Sequence, residues 1–233
     1  MADSNARESM LENIRRALRR NSTATLPQAF AAQAEANLQT KTNGDQARAE
    51  MINRFASELT RIGGRFQHCA SEQAAVEYIE QLALDRQAKM IVSWDVPVLP
   101  GIDLKTRLSE QGIVFEQSAE DRELISKAAE ADFGISGVDY ALADTGTLVL
   151  FASERQPRSV SLLPPVHIAI VRTEQILPGL SELFPLLRGE SNGLRNLSSA
   201  ITFITGPSRT ADIELKLVVG VHGPQELHVL LLD

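Results

Sequence analysis

Cysteine is nearly absent: Cys69 is the single thiol among 233 residues. One thiol forms no internal disulfide, and an iron–sulfur cluster normally takes four ligands, mostly thiolates. The chain alone therefore holds no such cluster. It also lacks a Gly-x-Gly-x-x-Gly dinucleotide loop. Aromatics are few, with eight Phe, two Tyr and one Trp, too little for a base-stacking platform. Basic charge is outweighed, and a formal net charge of −7 opposes binding to phosphate backbones. The cluster Arg15-Arg16 with Arg19-Arg20 shares its segment with Glu8 and Glu12 and reads as a solvated helix face. The longest apolar runs, such as Thr147–Ala152 and Val229–Leu232, fall far short of a bilayer span. The first residues are polar, without the apolar centre of a signal peptide. These absences predict a cytoplasmic protein with no membrane span and no nucleic-acid partner.

What is present is ordinary globular composition, 43% apolar and 23% charged, enough for one large core or two modest ones. Asn5 to Arg20 predicts an amphipathic helix, with Asn5 and Glu8 as a capping box. Asn21 to Asp45, rich in Ala, Gln, Thr and Asn, predicts a linker. The expected division is 1–45 as helix and linker and 46–233 as one α/β domain. From Gln46, helices and strands alternate. One helix carries Phe55 and Leu59 and closes at Gly63-Gly64; a strand follows at Arg65–Cys69, then a helix opening near Ser71. Lys89–Trp94 and Ile113–Glu116 predict strands, while Leu104/Leu108 and Asp121–Ala131 predict helices. That rhythm argues for a parallel sheet with crossover helices. Gly134–Leu142 and Thr147–Ala152 then suggest an antiparallel hairpin added to the sheet. His167–Arg172, Ala200–Thr205 and Leu227–Leu232 predict further strands, and Pro178–Leu187 a helix.

Four segments are denser in unusual residues than a core requires. Asp144-Thr145-Gly146-Thr147 has the letters of an aspartic-protease signature, but that chemistry needs two carboxylates sharing a proton and no second copy exists. The plainer account is a tight turn in which Gly146 takes a positive φ. In Glu154–His167, Arg158 stands between a proline turn and a Ser-rich strand and could grip an anion with both arms, or be a plain surface arginine. His167 opens an apolar strand and reads as a hydrogen-bonded core histidine. In Thr205–Glu214, Gly206, Ser208, Arg209 and Thr210 follow a strand and suggest the opening of a short helix. Its backbone N–H groups would make an anion pocket, at the carboxyl end of a strand where open α/β sheets bind ligands. In Gly220-Val221-His222-Gly223-Pro224, two glycines flank a titratable ring; a structural turn is the alternative. His222 and His228 match no usual zinc spacing, so no metal site is expected. Cys69 reads as a small buried hydrophobe rather than a reactive thiol.

Taken in order, Ala143–Thr147, Leu163-Pro-Pro-Val-His-Ile168, Thr205–Glu214, Gly220–Pro224 and Leu227-His-Val229 resemble the lactate utilization protein C family (LutC/YkgG type, the LUD domain). The likeness is close from Gly134 to Asp233. It implies an α/β/α three-layer sandwich of the NagB/RpiA/CoA transferase-like type. It implies partnership with two iron–sulfur proteins in oxidising L-lactate to pyruvate, the clusters residing on those partners and no cofactor on this chain. On that basis the loops Asp144–Thr147, Gly206–Asp212 and Gly220–Pro224 would bind a small carboxylate or dock a partner. Arg158 and Arg209 are the expected carboxylate contacts, and Asp212, Glu214 and His222 the candidates for proton transfer at the lactate hydroxyl. Two other readings stay open: a stand-alone enzyme on a small phosphorylated or acyl-CoA metabolite, and a scaffold or regulatory subunit.

Overall fold

Near-continuous apolar runs on the inner strands build a six-stranded sheet with apolar side chains on both faces. In the computed structural model, which describes residues 44–94, 98–117, 121–190, 198–211 and 217–233, the sheet comprises β1 (Arg65–Cys69), β2 (Met90–Ser93), β3 (Val114–Gln117), β4 (Phe133–Gly137), β7 (Val166–Arg172) and β12 (Glu226–Leu232). Their order is β1-β12-β7-β4-β2-β3, and every neighbouring pair is parallel. Along β7, Ile168 and Ile170 enter one core and Ala169 and Val171 the other. A strand buried on both faces needs this near-continuous apolar run. The helix and linker expected before Gly44 lie outside the described residues, which belong to the compact unit Asn43–Asp233.

Helices α2 (Glu72–Asp85) and α3 (Leu104–Glu110) cover the first face through Val76, Ile79, Leu104 and Leu108. Ser71 caps α2 by accepting a hydrogen bond from the Ala74 N–H at 3.2 Å, a cap worth about 1 kcal/mol. The second face is covered by α1 (Gly44–Arg61), α4 (Asp121–Glu130) and the single turn α5 (Ser159–Leu162). Phe55 and Leu59 of α1 are fully buried, each contributing roughly 2 kcal/mol by leaving water. Gly63 then ends that helical stretch at φ +89°.

The expected hairpin is present, but it lies in a second sheet. A four-stranded sheet of order β8-β5-β6-β9 joins β5 (Tyr140–Leu142), β6 (Thr147–Phe151), β8 (Ile176–Leu177) and β9 (Ile201–Ile204). The run Gly134–Leu142 is thus two strands, and the break is at Asp139. Its N–H donates to the Val149 carbonyl at 2.9 Å and its carboxylate accepts from the Phe151 N–H at 2.7 Å. These bonds carry the chain from the parallel sheet into the smaller one. Helix α6 (Leu180–Glu190) packs on the outer side of that sheet through Leu183 and Leu187. Two further expectations are corrected. Arg209–Ala211 is not a helix start; it is strand β10, paired antiparallel with β11 (Leu217–Val219). The Ser-rich stretch after Arg158 is the helical turn α5, whose backbone fits against β4 because Gly134 has no side chain.

Candidate functional site

The glycine-bearing loops converge, and they do so around the end of α1. Gly146, at φ +65°, lies so close to α1 that a β-carbon there would come within 3.0 Å of the Leu59 backbone. The Thr147 hydroxyl donates to the Thr145 hydroxyl and shares a bond with the Thr205 hydroxyl, both 2.8 Å. Asp144 takes a 3.2 Å bond from the Thr145 hydroxyl and sits against Gly179. Gly206, at φ +88°, rests on Ile62, and the Arg209 guanidinium lies against Gly63. The next two segments are zipped together: the Ser208 N–H donates to the Pro224 carbonyl at 2.8 Å, and the Gly220 N–H donates to the Ser208 carbonyl at 3.0 Å. Gly223 packs on the Ser208 side chain. His222 is exposed beside them, while Thr210 lies on β10. Asp212 and Glu214 fall outside the described residues.

This cluster sits at the opposite edge of the sheet from the one expected. Gly63 immediately precedes β1, Gly220–Pro224 precede β12, and the Gln225 N–H donates at 2.7 Å to Pro165, just before β7. The strands are parallel, so these are all amino ends. Arg158 is not part of the cluster. Trp94, just past the carboxyl end of β2, donates its indole N–H to the Pro157 carbonyl at 3.3 Å, which holds Arg158 near the carboxyl edge.

The carboxyl edge carries two clefts, separated by the turn Ser153–Gln156. One, of about 500 Å³, is bordered by Ser153, Glu154, Arg158, Ser159 and Ser199. The Ser159 hydroxyl is buried beneath this border without a hydrogen-bond partner. The other, of about 270 Å³, is lined by Leu99, Ile102, Asp103, Lys105, Phe115 and Arg155, among others. It opens toward the carboxyl ends of β2 and the edge strand β3, beside the segment that leads from β2 into α3. Asp103 is the N-cap of α3. Hydrogen bonds from the Thr106 hydroxyl (2.7 Å) and N–H (3.1 Å) hold its carboxyl below the ordinary value. Lys105, Asp103 and Arg155 were not singled out from the sequence, because only the strand order brings residues 98–105, 115–117 and 155 together.

His167, His228 and Cys69 are held within the core. His167 is fully buried, with Nε2 2.8 Å from the Ser136 hydroxyl; burial, aided by His228, lowers its pKa to about 3. His228 lies between Tyr78 (2.8 Å at Nδ1) and Glu226 (3.2 Å at Nε2). The Glu226 carboxylate can only accept there, so Nε2 carries the proton and Nδ1 accepts from Tyr78. Burial lowers the His228 pKa, and Arg65 works in the same direction against Glu226. Cys69 is 3% exposed, and burial pushes its thiol pKa up. Among the described residues no group of three or more His, Cys, Asp or Glu could hold a metal ion, and no helix is long and apolar enough to cross a membrane.

A parallel α/β sheet layered by helices, with clefts at its carboxyl edge and a knot of glycine loops at its amino edge, defines the class. The LUD domain profile matches residues 52–232, and the chain belongs to the LUD-domain family. It is 36% identical over 180 residues to lactate utilization protein C of Halalkalibacterium halodurans, covering 75% of this chain and 76% of that one. It is 34% identical over 191 residues to the protein YkgG of Escherichia coli K12, covering 81% and 80%. Among solved structures, a DUF162 family protein from Deinococcus radiodurans is similar in fold, with a TM-score of 0.54 and 20% identity over 80% of this chain and 98% of that one.

Proposed function

We propose that this protein serves lactate utilization as the subunit without a redox centre in an L-lactate-oxidising assembly, working with two iron–sulfur proteins. The observation that carries the reading is the match to lactate utilization protein C across three quarters of both chains. Chemistry supports the division of labour. Oxidising lactate to pyruvate removes two electrons, and a chain with one buried cysteine has no thiolate set to receive them.

Of the two arginines expected to meet a carboxylate, Arg158 has the more suitable surroundings. Its cleft offers a guanidinium for the carboxylate, with Ser199 on its border. Arg209 instead lies over Gly63 among loops that are bonded to one another. The test is anaerobic reconstitution of the two iron–sulfur partners with and without this chain, assayed by lactate-dependent reduction of an acceptor dye. Turnover that requires this chain and falls at least tenfold with Arg158→Ala supports both statements. Turnover without this chain removes the subunit role, and loss with Arg209→Ala alone moves the carboxylate to the amino edge.

A further inference from the structure

The smaller cleft asks for a different ligand from lactate. Six of its ten lining residues are apolar, and Leu99, Leu104 and Phe115 are at the same time core residues 4–6% exposed. Its walls are therefore fixed by the packing that holds α3 on the sheet and are formed before any ligand arrives. Against this apolar floor stand two cations, Lys105 and Arg155, and one anion, Asp103. The Asp103 carboxylate is occupied by Thr106. Two cations thus stand beside this apolar floor in a protein whose total charge is −7. Arg155 keeps an interaction within the chain, and its five N–H donors leave it able to take a second acceptor. The cleft lies toward the carboxyl ends of parallel strands, the edge of an open parallel sheet at which ligands bind. The volume is about 270 Å³, room for about nine waters at ~30 Å³ each, hence for an acid of similar heavy-atom count.

We infer that this cleft is a binding site for a short-chain organic monocarboxylate, one with an aliphatic body of four to six carbons. The body lies on Leu99, Ile102 and Phe115, and the carboxylate meets Arg155 and Lys105. A carboxylate on an aliphatic body suits two cations beside an apolar floor. The apolar floor selects against lactate, whose hydroxyl would find no partner along it. The site goes beyond the lactate reading and does not depend on it.

The probe is hexanoate, with hexanamide as its neutral counterpart and hexyl phosphate as the dianion. Binding to the full chain is followed by saturation-transfer NMR and calorimetry. Hexanoate should bind more tightly than hexanamide or hexyl phosphate, and Arg155→Gln or Lys105→Gln should weaken it about tenfold while leaving hexanamide unaffected. Both side chains are exposed, so the variants retain the fold, which circular dichroism checks. Equal affinity for hexanoate in the parent and in both variants overturns the inference, as does absence of binding at millimolar hexanoate. Preference for hexyl phosphate overturns the carboxylate assignment.

Discussion

Gly146 and Leu59 meet backbone to backbone: the turn that starts β6 is laid directly on the last turns of α1, with no space for a β-carbon between them. The Asp-Thr-Gly-Thr letters are thereby explained as packing. Gly146→Ala must both adopt a left-handed φ and push α1 away from the sheet. The expected cost is about 2–4 kcal/mol, read as a lower urea midpoint. A change smaller than about 0.5 kcal/mol would show that the turn yields freely.

Stability should fall in mild acid. His167 titrates at about 3 in the folded chain, against 6.5 for the free ring. Between those values the unfolded chain binds the extra proton. The contribution is therefore complete above about pH 6.5 and is lost toward pH 3, at up to ~1.4 kcal/mol per pH unit. His228, whose pKa is also lowered, acts with the same sign. Denaturant midpoints should decline steadily from pH 7 to pH 5, above the range in which carboxylates titrate. His167→Asn should flatten that slope; an unchanged slope assigns it elsewhere.

The thiol of Cys69 should be silent in the native state. It is buried, and its pKa is raised, so little thiolate exists and little of it is reachable. A chromogenic disulfide reagent should react slowly with native protein and release one equivalent on denaturation. Rapid native labelling would contradict the packing around β1.

Arg107 joins α3 to α2 with two parallel bonds to Glu80, Nε to Oε1 and Nη2 to Oε2, both 2.7 Å. Glu80 is only 8% exposed, so removing the guanidinium leaves a nearly buried carboxylate without its partner. Arg107→Ala should cost about 2 kcal/mol, and Arg107→Lys, which keeps charge but loses the fork, about half of that. Thermal denaturation distinguishes them; equal loss in both would mean that a positive charge without the fork recovers nothing.

Local signals carried much of the fold. Arg65–Cys69 was legible as a strand because Gly63-Gly64 stops the preceding helix and Ser71 begins the next. What could not be read was pairing between distant segments. Thr205–Glu214 carries cap-like residues, yet its fate is decided by Val219, Val218 and Leu217, which supply a strand partner. The break at Asp139 depends on Val149 and Phe151 across the small sheet. The same limit governs the site. Ser208, Gly220 and Pro224 interlock, but which edge they occupy follows from strand order alone. Arg155 lay three residues from Arg158, and only the route of the chain through β2, β3 and β4 gives it a cleft of its own.

Strand β12 sits between β1 and β7, so Arg65 finds its neighbour in His228. During synthesis the first strand of the domain has no lateral partner until nearly the whole domain has left the ribosome. Strand β1 must wait, unpaired, for a segment made much later. A stop codon shortly before Glu226 would therefore remove an interior strand and leave β1 without a neighbour, rather than trim the edge of the sheet.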